Sequence, residues 1–254
     1  MTMQREASPP PLSHTLTGLP RALHESMSLF TGLERLIREC SGGDGHPVLV
    51  LPGYGAADGS TIMLRYFLRR IGYQPHALEL GRNVEGQADR IRSVDDATRF
   101  REQMTAPIVK RVREIQKQSG KTVSLVGWSM GGLYALDTAQ QIPKSIRQVI
   151  TLGSPFGDPR GTSLFKVMRQ LSGSTVPIEQ QDFTSWLNKS AAPKVPTRVI
   201  YSERDGIVGT AIARLPTSKN IEYEQVDSSH IAFALNPRAL RSVAMGLRAN
   251  TPAQ

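Results

Sequence analysis

From residue 46 onward, short apolar runs alternate with segments whose apolar residues fall three and four positions apart. Residues 46–51 (His-Pro-Val-Leu-Val-Leu) carry consecutive apolar side chains, the pattern of a strand buried on both faces. Helical spacing follows over 60–71, where Ile62, Met63, Tyr66, Phe67 and Ile71 share a stripe. The exchange repeats with strands over 74–80, 122–126 and 148–152 and helices over 93–119 and 130–142. After an interruption come a strand over 197–201, a short helix near 207–213, a strand over 221–226 and a last helix over 237–247. Pro107 has to kink or restart the 93–119 helix, because proline lacks an amide donor and crowds the preceding turn. Six strands separated by helices predict an α/β fold, a mostly parallel sheet with helices on both faces, in one domain over 46–254.

Two segments precede that domain. Residues 1–18 are polar and rich in proline around Pro9-Pro10-Pro11, and are expected to be disordered. Residues 19–45 form an amphipathic helix and loop, with Leu19, Leu23, Met27, Phe30, Leu33 and Ile37 on one stripe and Ser41-Gly42-Gly43-Asp44-Gly45 ending it. Packing on the flank of the domain is the expected role of that stripe; a membrane-surface anchor is the alternative. No apolar leader and no run of the ~20 apolar residues of a membrane span is found, so a cytoplasmic protein is the default expectation. The single cysteine, Cys40, excludes an internal disulfide and a thiolate metal cluster.

A formal net charge of +9 comes from scattered basic clusters. These are Arg65, Arg69 and Arg70; Arg90, Arg92, Arg99 and Arg101; and Lys110, Arg111, Arg113, Lys117 and Lys121. Each lies in a helical segment with few aromatics between, so solvated helix faces are expected. Weak attraction to anionic lipid or to an acidic partner is the sharper alternative, and nucleic acid is not expected as a partner.

Chemistry enters at Gly127-Trp128-Ser129-Met130-Gly131-Gly132, between the strand at 122–126 and the helix after it. A strand, Gly-x-Ser-x-Gly and a helix in that order form a turn tight enough to lift the serine clear of the sheet. Residues two before and two after the serine must lack bulk, which glycine satisfies. A serine hydroxyl needs a base at neutral pH. Of the five histidines, His14 and His24 lie in or near the N-terminal segment, His46 precedes a strand and His76 is inside one. Only His230, in Val226-Asp227-Ser228-Ser229-His230, follows the carboxyl end of a strand, the edge where ligands bind in an open α/β sheet. Asp205 follows the strand ending at Tyr201 and is favoured as the orienting carboxylate, with Gly206 freeing the turn beside it. Glu203 and Asp227 compete for that role.

The order Ser129, Asp205, His230 is that of nucleophile, acid and base in α/β-hydrolases. Together with Leu51-Pro52-Gly53-Tyr54-Gly55, Leu152-Gly153-Ser154-Pro155 and Asp205-Gly206-Ile207-Val208, it makes the run 47–247 resemble that family, in particular its small lipases and esterases. The resemblance implies the family fold, a catalytic triad and hydrolysis through an acyl-enzyme. It also implies an oxyanion hole from two backbone N–H groups, here Met130 and Tyr54. Pro52-Gly53 stands where the family commonly has His-Gly, which leaves Gly55 as a competitor for the second donor. A dinucleotide-like run, Gly53-Tyr54-Gly55-Ala56-Ala57-Asp58-Gly59, has its third glycine one residue late and a carboxylate where pyrophosphate would lie.

The interruption, about 155–195, holds Leu164, Phe165, Val167, Met168, Leu171, Phe183, Trp186 and Leu187. Two short helices there are expected to form a lid suited to an acyl chain, the alternative being plain packing on the core. The chain is therefore expected to be a carboxylic ester hydrolase acting on a small-molecule acyl ester, with no metal or organic cofactor. An acyltransferase or thioesterase on the same residues is the alternative, as is a non-catalytic binding protein of the same fold.

Overall fold

The computed structural model describes residues 7–81, 93–165, 183–189 and 193–249. Among them, strands β1 (Pro47–Leu51), β2 (Gln74–His76), β3 (Val123–Trp128), β4 (Ile146–Leu152), β5 (Thr197–Tyr201) and β6 (Ile221–Gln225) form one sheet. Their spatial order is β2-β1-β3-β4-β5-β6 and every neighbouring pair is parallel. Among the described residues seven α-helices accompany them: α1 (Leu12–Leu16), α2 (Gly18–Cys40), α3 (Ile62–Arg70), α4 (Val94–Ser119), α5 (Met130–Gln141), α6 (Thr184–Asn188) and α7 (Pro237–Ala249). Parallel strands need crossovers, and the crossovers bury both sheet faces. One core therefore packs α2, α3 and α7 through Leu29, Phe67 and Leu240, and the other packs α4 and α5 through Ile108 and Leu133.

The chain runs from β1 outward to β2, then crosses back over β1 to β3 and continues in the other direction. The reversal opens a crevice at the carboxyl ends of β1 and β3, because the loops leaving them diverge to opposite faces. Gly53-Tyr54-Gly55 leaves β1 and Ser129 leaves β3, so both motifs stand at this crevice.

Several elements differ from the sequence-based expectation. β2 stops at His76 because Asp58 accepts hydrogen bonds from the Leu78 and Glu79 amides, at 3.0 and 2.9 Å, and ends the ladder. α4 runs unbroken through Pro107. A reciprocal Ser93–Asp96 capping box starts it, left-handed Gly120 ends it, and burial of Phe100, Ile108, Val112 and Ile115 outweighs the missing bond. No helix forms over 207–213, since Asp205 takes the Ile207 and Val208 amides and Thr162 pairs with Val208.

The N-terminal segment also departs from expectation. Part of the 1–18 stretch expected to be disordered forms α1, where Thr15 Oγ1 donates to the Gly206 carbonyl at 2.7 Å. α2 buries Ala22, Leu29, Leu36, Ile37 and Cys40, while Leu19, Leu23, Met27 and Phe30 face solvent. Of the expected stripe, Ile37 is buried and Leu33 packs against the same core, so its C-terminal part lies on the flank of the domain as expected, while its N-terminal part faces solvent. No described helix is long and apolar enough to cross a membrane. Of the basic residues expected on solvated faces, Arg101 is fully buried, and Arg90 and Arg92 lie outside the described residues.

Candidate active site

The turn from β3 into α5 sets the site's geometry. Ser129 has φ 55° and ψ −124°, a left-handed conformation that costs a non-glycine residue about 1–3 kcal/mol. Its neighbours leave no room for any other arrangement: a Cβ on Gly127 would meet the Gly131 carbonyl, and one on Gly131 would meet Leu51. The Ser129 amide donates to the Leu152 carbonyl at 2.8 Å and locks the turn to β4. Its hydroxyl consequently stands at the crevice, half-buried.

His230 meets that hydroxyl. Ser129 Oγ lies 3.0 Å from His230 Nε2, and His230 Nδ1 lies 2.7 Å from Asp205 Oδ2. Asp205 is buried, and its other oxygen accepts from the Ile207 and Val208 amides at 2.7 and 2.8 Å. With N–H donors on every side, the carboxylate acts only as an acceptor and places the imidazole proton on Nδ1. Nε2 is left to accept from the serine hydroxyl. The two rival carboxylates are elsewhere: Glu203 is exposed, and Asp227 pairs with Arg21 and Arg204 at 2.8 and 3.1 Å.

Four further residues fix this trio, none of them visible as site residues in the sequence. Trp128, inside the Gly-x-Ser-x-Gly motif, donates through Nε1 to the His230 carbonyl at 3.0 Å. Phe233 packs edge-on to the imidazole, with ring centroids 6.3 Å apart. Gly153, at φ +56°, lets both approach: a Cβ there would overlap the Phe233 ring and sit 3.1 Å from Asp205 Oδ2. Glu25, on α2, accepts from the Ser229 amide at 2.9 Å, from Ser228 Oγ at 3.1 Å and from Asn236 Nδ2 at 2.9 Å. Trp128 and Gly153 had a local signal, their places in the Gly-x-Ser-x-Gly motif and in Leu152-Gly153-Ser154-Pro155.

Tyr54, in the loop after β1, and Met130, at the start of α5, flank the serine. Met130 opens α5, where helix geometry leaves the amide without a partner inside the helix. The loop before Tyr54 comes close, since a Cβ on Gly53 would lie 3.2 Å from Ser129 Cβ and 3.8 Å from its Oγ. The Tyr54 ring packs edge-on against Phe100 at 5.9 Å. In the insertion, Phe183 and the Trp186 of α6 are buried in the core. Val167, Met168 and Leu171 lie outside the described residues, as does one of the two helices expected there. Asp58, expected to oppose pyrophosphate, is engaged with the amides that follow β2.

A second Ser–His–Asp trio stands at the opposite edge of the sheet. His46 bridges Asp44, at 2.5 Å from Nδ1, and Ser124 Oγ, at 2.8 Å from Nε2. Both His46 and Ser124 are buried, so no substrate reaches them. His14 and His24, in α1 and α2, and His76, in β2, stand apart from Ser129.

Residues 43–173 match the family model of the PGAP1-like alpha/beta domain, a stretch that includes Ser129 and ends before Asp205 and His230. No curated protein sequence matches the chain. Among solved structures, one from a report on LipS and LipT, two metagenome-derived lipolytic enzymes, is similar at 17% identity, over 82% of this chain and 96% of that one, with a TM-score of 0.59. Lipase B of Aspergillus fumigatus is similar at 18% identity, over 84% of this chain and 56% of its own, with a TM-score of 0.53. The monoacylglycerol lipase of Paleococcus ferrophilus is similar at 15% identity, over 81% and 95%, with a TM-score of 0.52. At these identities the likeness is one of fold, the α/β-hydrolase fold.

Proposed function

The chain belongs to the PGAP1-like alpha/beta domain family, and from that membership and the Ser129–His230–Asp205 chain of contacts we propose that it is a serine hydrolase of carboxylic esters. The observation that carries the proposal is the 3.0 Å approach of His230 Nε2 to a serine hydroxyl held at positive φ on a strand-to-helix turn.

In this reading His230 Nε2 takes the hydroxyl proton as Ser129 Oγ attacks the ester carbonyl. Asp205 fixes the Nδ1–H tautomer and stabilises the imidazolium that forms. The backbone N–H groups of Met130 and Tyr54 meet the charge on the tetrahedral oxygen, a task main-chain donors perform without reorganising. His230 then returns the proton to the alkoxide as the ester C–O bond breaks, leaving the acyl group on Ser129. Water, deprotonated by the same imidazole, attacks the acyl carbonyl, and the acid leaves as the acyl–Oγ bond breaks and His230 returns the proton to Ser129 Oγ. Serine, histidine and carboxylate suffice for each step, so none is routed through a metal or organic cofactor.

Purified wild type and Ser129→Ala assayed on aryl esters of increasing chain length test this directly. Loss of a triad member is expected to lower kcat by on the order of 10⁴–10⁶. A fluorophosphonate probe is expected to label the wild type at Ser129, because labelling requires an activated hydroxyl. Equal turnover in both proteins would remove the assignment.

A further inference from the structure

The N-terminal helices have two faces that do different things. Inward, Thr15 holds the Gly206 carbonyl, Arg21 donates to the Arg204 carbonyl and to Asp227, and Glu25 holds Ser228, Ser229 and Asn236. The arm thus lies across the loops that carry Asp205 and His230, at the sheet edge where Ser129 emerges. Outward, Leu12, Leu16, Leu19, Leu23, Met27 and Phe30 succeed one another at spacings of three and four. All six are between 57% and 79% exposed. A contiguous apolar stripe of this length in water marks a surface that something else covers.

Charge identifies what covers it. Between Leu12 and Leu33 the only charged residues are Arg21 and Glu25, and both are engaged with the loops beneath. The exposed stripe therefore carries no charged side chain to hold it in water. The helices on its side of the sheet are basic: α2, α3 and α7, which pack on the same sheet face, together carry nine arginines and three glutamates, with no lysine or aspartate. That excess of six positive charges is two-thirds of the chain's net +9. An apolar stripe with basic helices on its side of the sheet, carried by a helix too polar to span a bilayer, fits an element lying in the plane of an anionic lipid surface.

We infer that the α1–α2 arm docks the protein on an anionic lipid surface, with the exposed stripe from Leu12 to Phe30 immersed and the net positive charge of α2, α3 and α7 attracting the headgroups. The docking rests on the arm alone. Its consequence, that an ester-cleaving mouth is brought to the lipid, rests on the proposed serine chemistry. Ile231, next to His230 and 43% exposed, adds an apolar group on the same loop.

The test uses the full chain with sedimenting phosphatidylcholine vesicles, with and without phosphatidylserine, and the variant Leu19→Ser/Leu23→Ser/Phe30→Ser. Wild type is expected to partition onto the phosphatidylserine vesicles, less so in high salt and less onto phosphatidylcholine alone. The variant is expected to partition on the order of 100-fold more weakly, with turnover of a soluble aryl ester and far-UV circular dichroism unchanged. Wild type that stays in the supernatant overturns the inference, as does a variant that sediments as well as wild type. Light scattering adds a further outcome: a wild-type dimer that the variant loses, without vesicle binding, makes a second copy the occupant and also overturns it. Should the wild type cleave no ester, the hydrolase reading fails while vesicle partition still decides the docking.

Discussion

Ser, His and Asp meet twice in this molecule, and comparing the two meetings shows what residue-level geometry requires of a reactive site. Asp44–His46–Ser124 has hydrogen bonds as short as those of Asp205–His230–Ser129, yet it is sealed and its serine lies inside β3. What sets Ser129 apart is its strained turn at the carboxyl end of a strand, half-buried beside the loop that leaves β1. That distinction was legible in the sequence, because Gly127 and Gly131 flag the turn and Asp205 and His230 each follow a strand's end. Glu25 was not legible: its partners lie about two hundred residues away, and nothing local marks a carboxylate in an amphipathic helix as their acceptor. Under the proposed chemistry, Glu25 is assigned a positioning role, acting through Ser228 and Ser229. In Glu25→Gln one oxygen still accepts, but the amide NH₂ turns a donor toward donors, so the loop carrying His230 loses part of its hold. A drop in kcat of about tenfold with KM for an aryl ester unchanged is expected, since the mismatch falls on the base rather than on substrate contacts. Glu25→Asp, which keeps the carboxylate, should recover part of the loss, whereas a fall in KM-related binding alone would argue against this role.

At the scale of elements, periodicity located strands and helices well and faces poorly. Along α2 the expected stripe packs at Leu33 and Ile37 but turns to solvent at Leu19, Leu23, Met27 and Phe30, where Arg21 and Glu25 reach the loops that carry Asp205 and His230, a tertiary choice that spacing alone does not record. Arg101 illustrates the same limit, because a basic residue in a helical segment reads as solvated. Instead it is fully buried and makes a two-pronged pair with Asp137 of α5, at 2.5 and 2.8 Å. Its guanidinium also lies 5.2 Å from the Trp186 ring and donates to the Lys189 carbonyl at 3.3 Å. One side chain therefore ties α4, α5 and α6 together, joining the described part of the insertion to the helix that begins beside Ser129. Burial raises the Asp137 carboxyl and the Arg101 charge opposes that rise, so removing the arginine strands a buried acid. Arg101→Leu should cost about 3–5 kcal/mol of unfolding free energy, measured by urea denaturation. Arg101→Leu/Asp137→Leu should regain most of it, because the stranded carboxylate is the larger part of the penalty. A double variant as weak as the single would show instead that the loss comes from the Trp186 stack and the Lys189 carbonyl.

Across the whole molecule, the alternation of runs was enough to read a parallel sheet covered on both faces, but not the strand order, because the reversal between β1 and β3 leaves no mark on either strand's own sequence. Opposite edges of that sheet hold different groups: the Ser129–His230–Asp205 trio of the proposed chemistry at the carboxyl ends, and at the amino ends a buried network that depends on pH. Burial holds His46 below the ordinary histidine value of 6.5 against the pull of Asp44, with the positive charges of Arg147 and Lys121 acting in the same direction as burial. Burial pushes Asp44 up, but hydrogen bonds from His46 and Arg147 outweigh it and hold the acid at about 2, below its ordinary 3.8. For His46 the unfolded chain binds the proton more readily than the folded one. Its contribution is therefore complete above about pH 6.5 and is lost as pH falls below it. Asp44 has the same sign at lower pH: its stabilisation is present above 3.8 and disappears as pH falls toward about 2. Stability should therefore rise with pH in both windows, with a slope of at most about 1.4 kcal/mol per pH unit for each proton. His76, half-buried in β2 and also held low by burial, adds to the upper window. Thermal melts of wild type between pH 7.5 and 5 should show a falling Tm, and His46→Gln should start lower and fall less steeply. Parallel curves for the two proteins would mean that His46 titrates alike in the folded and unfolded chains, and the lost stability at low pH would then belong to His76 and the remaining ionisable groups.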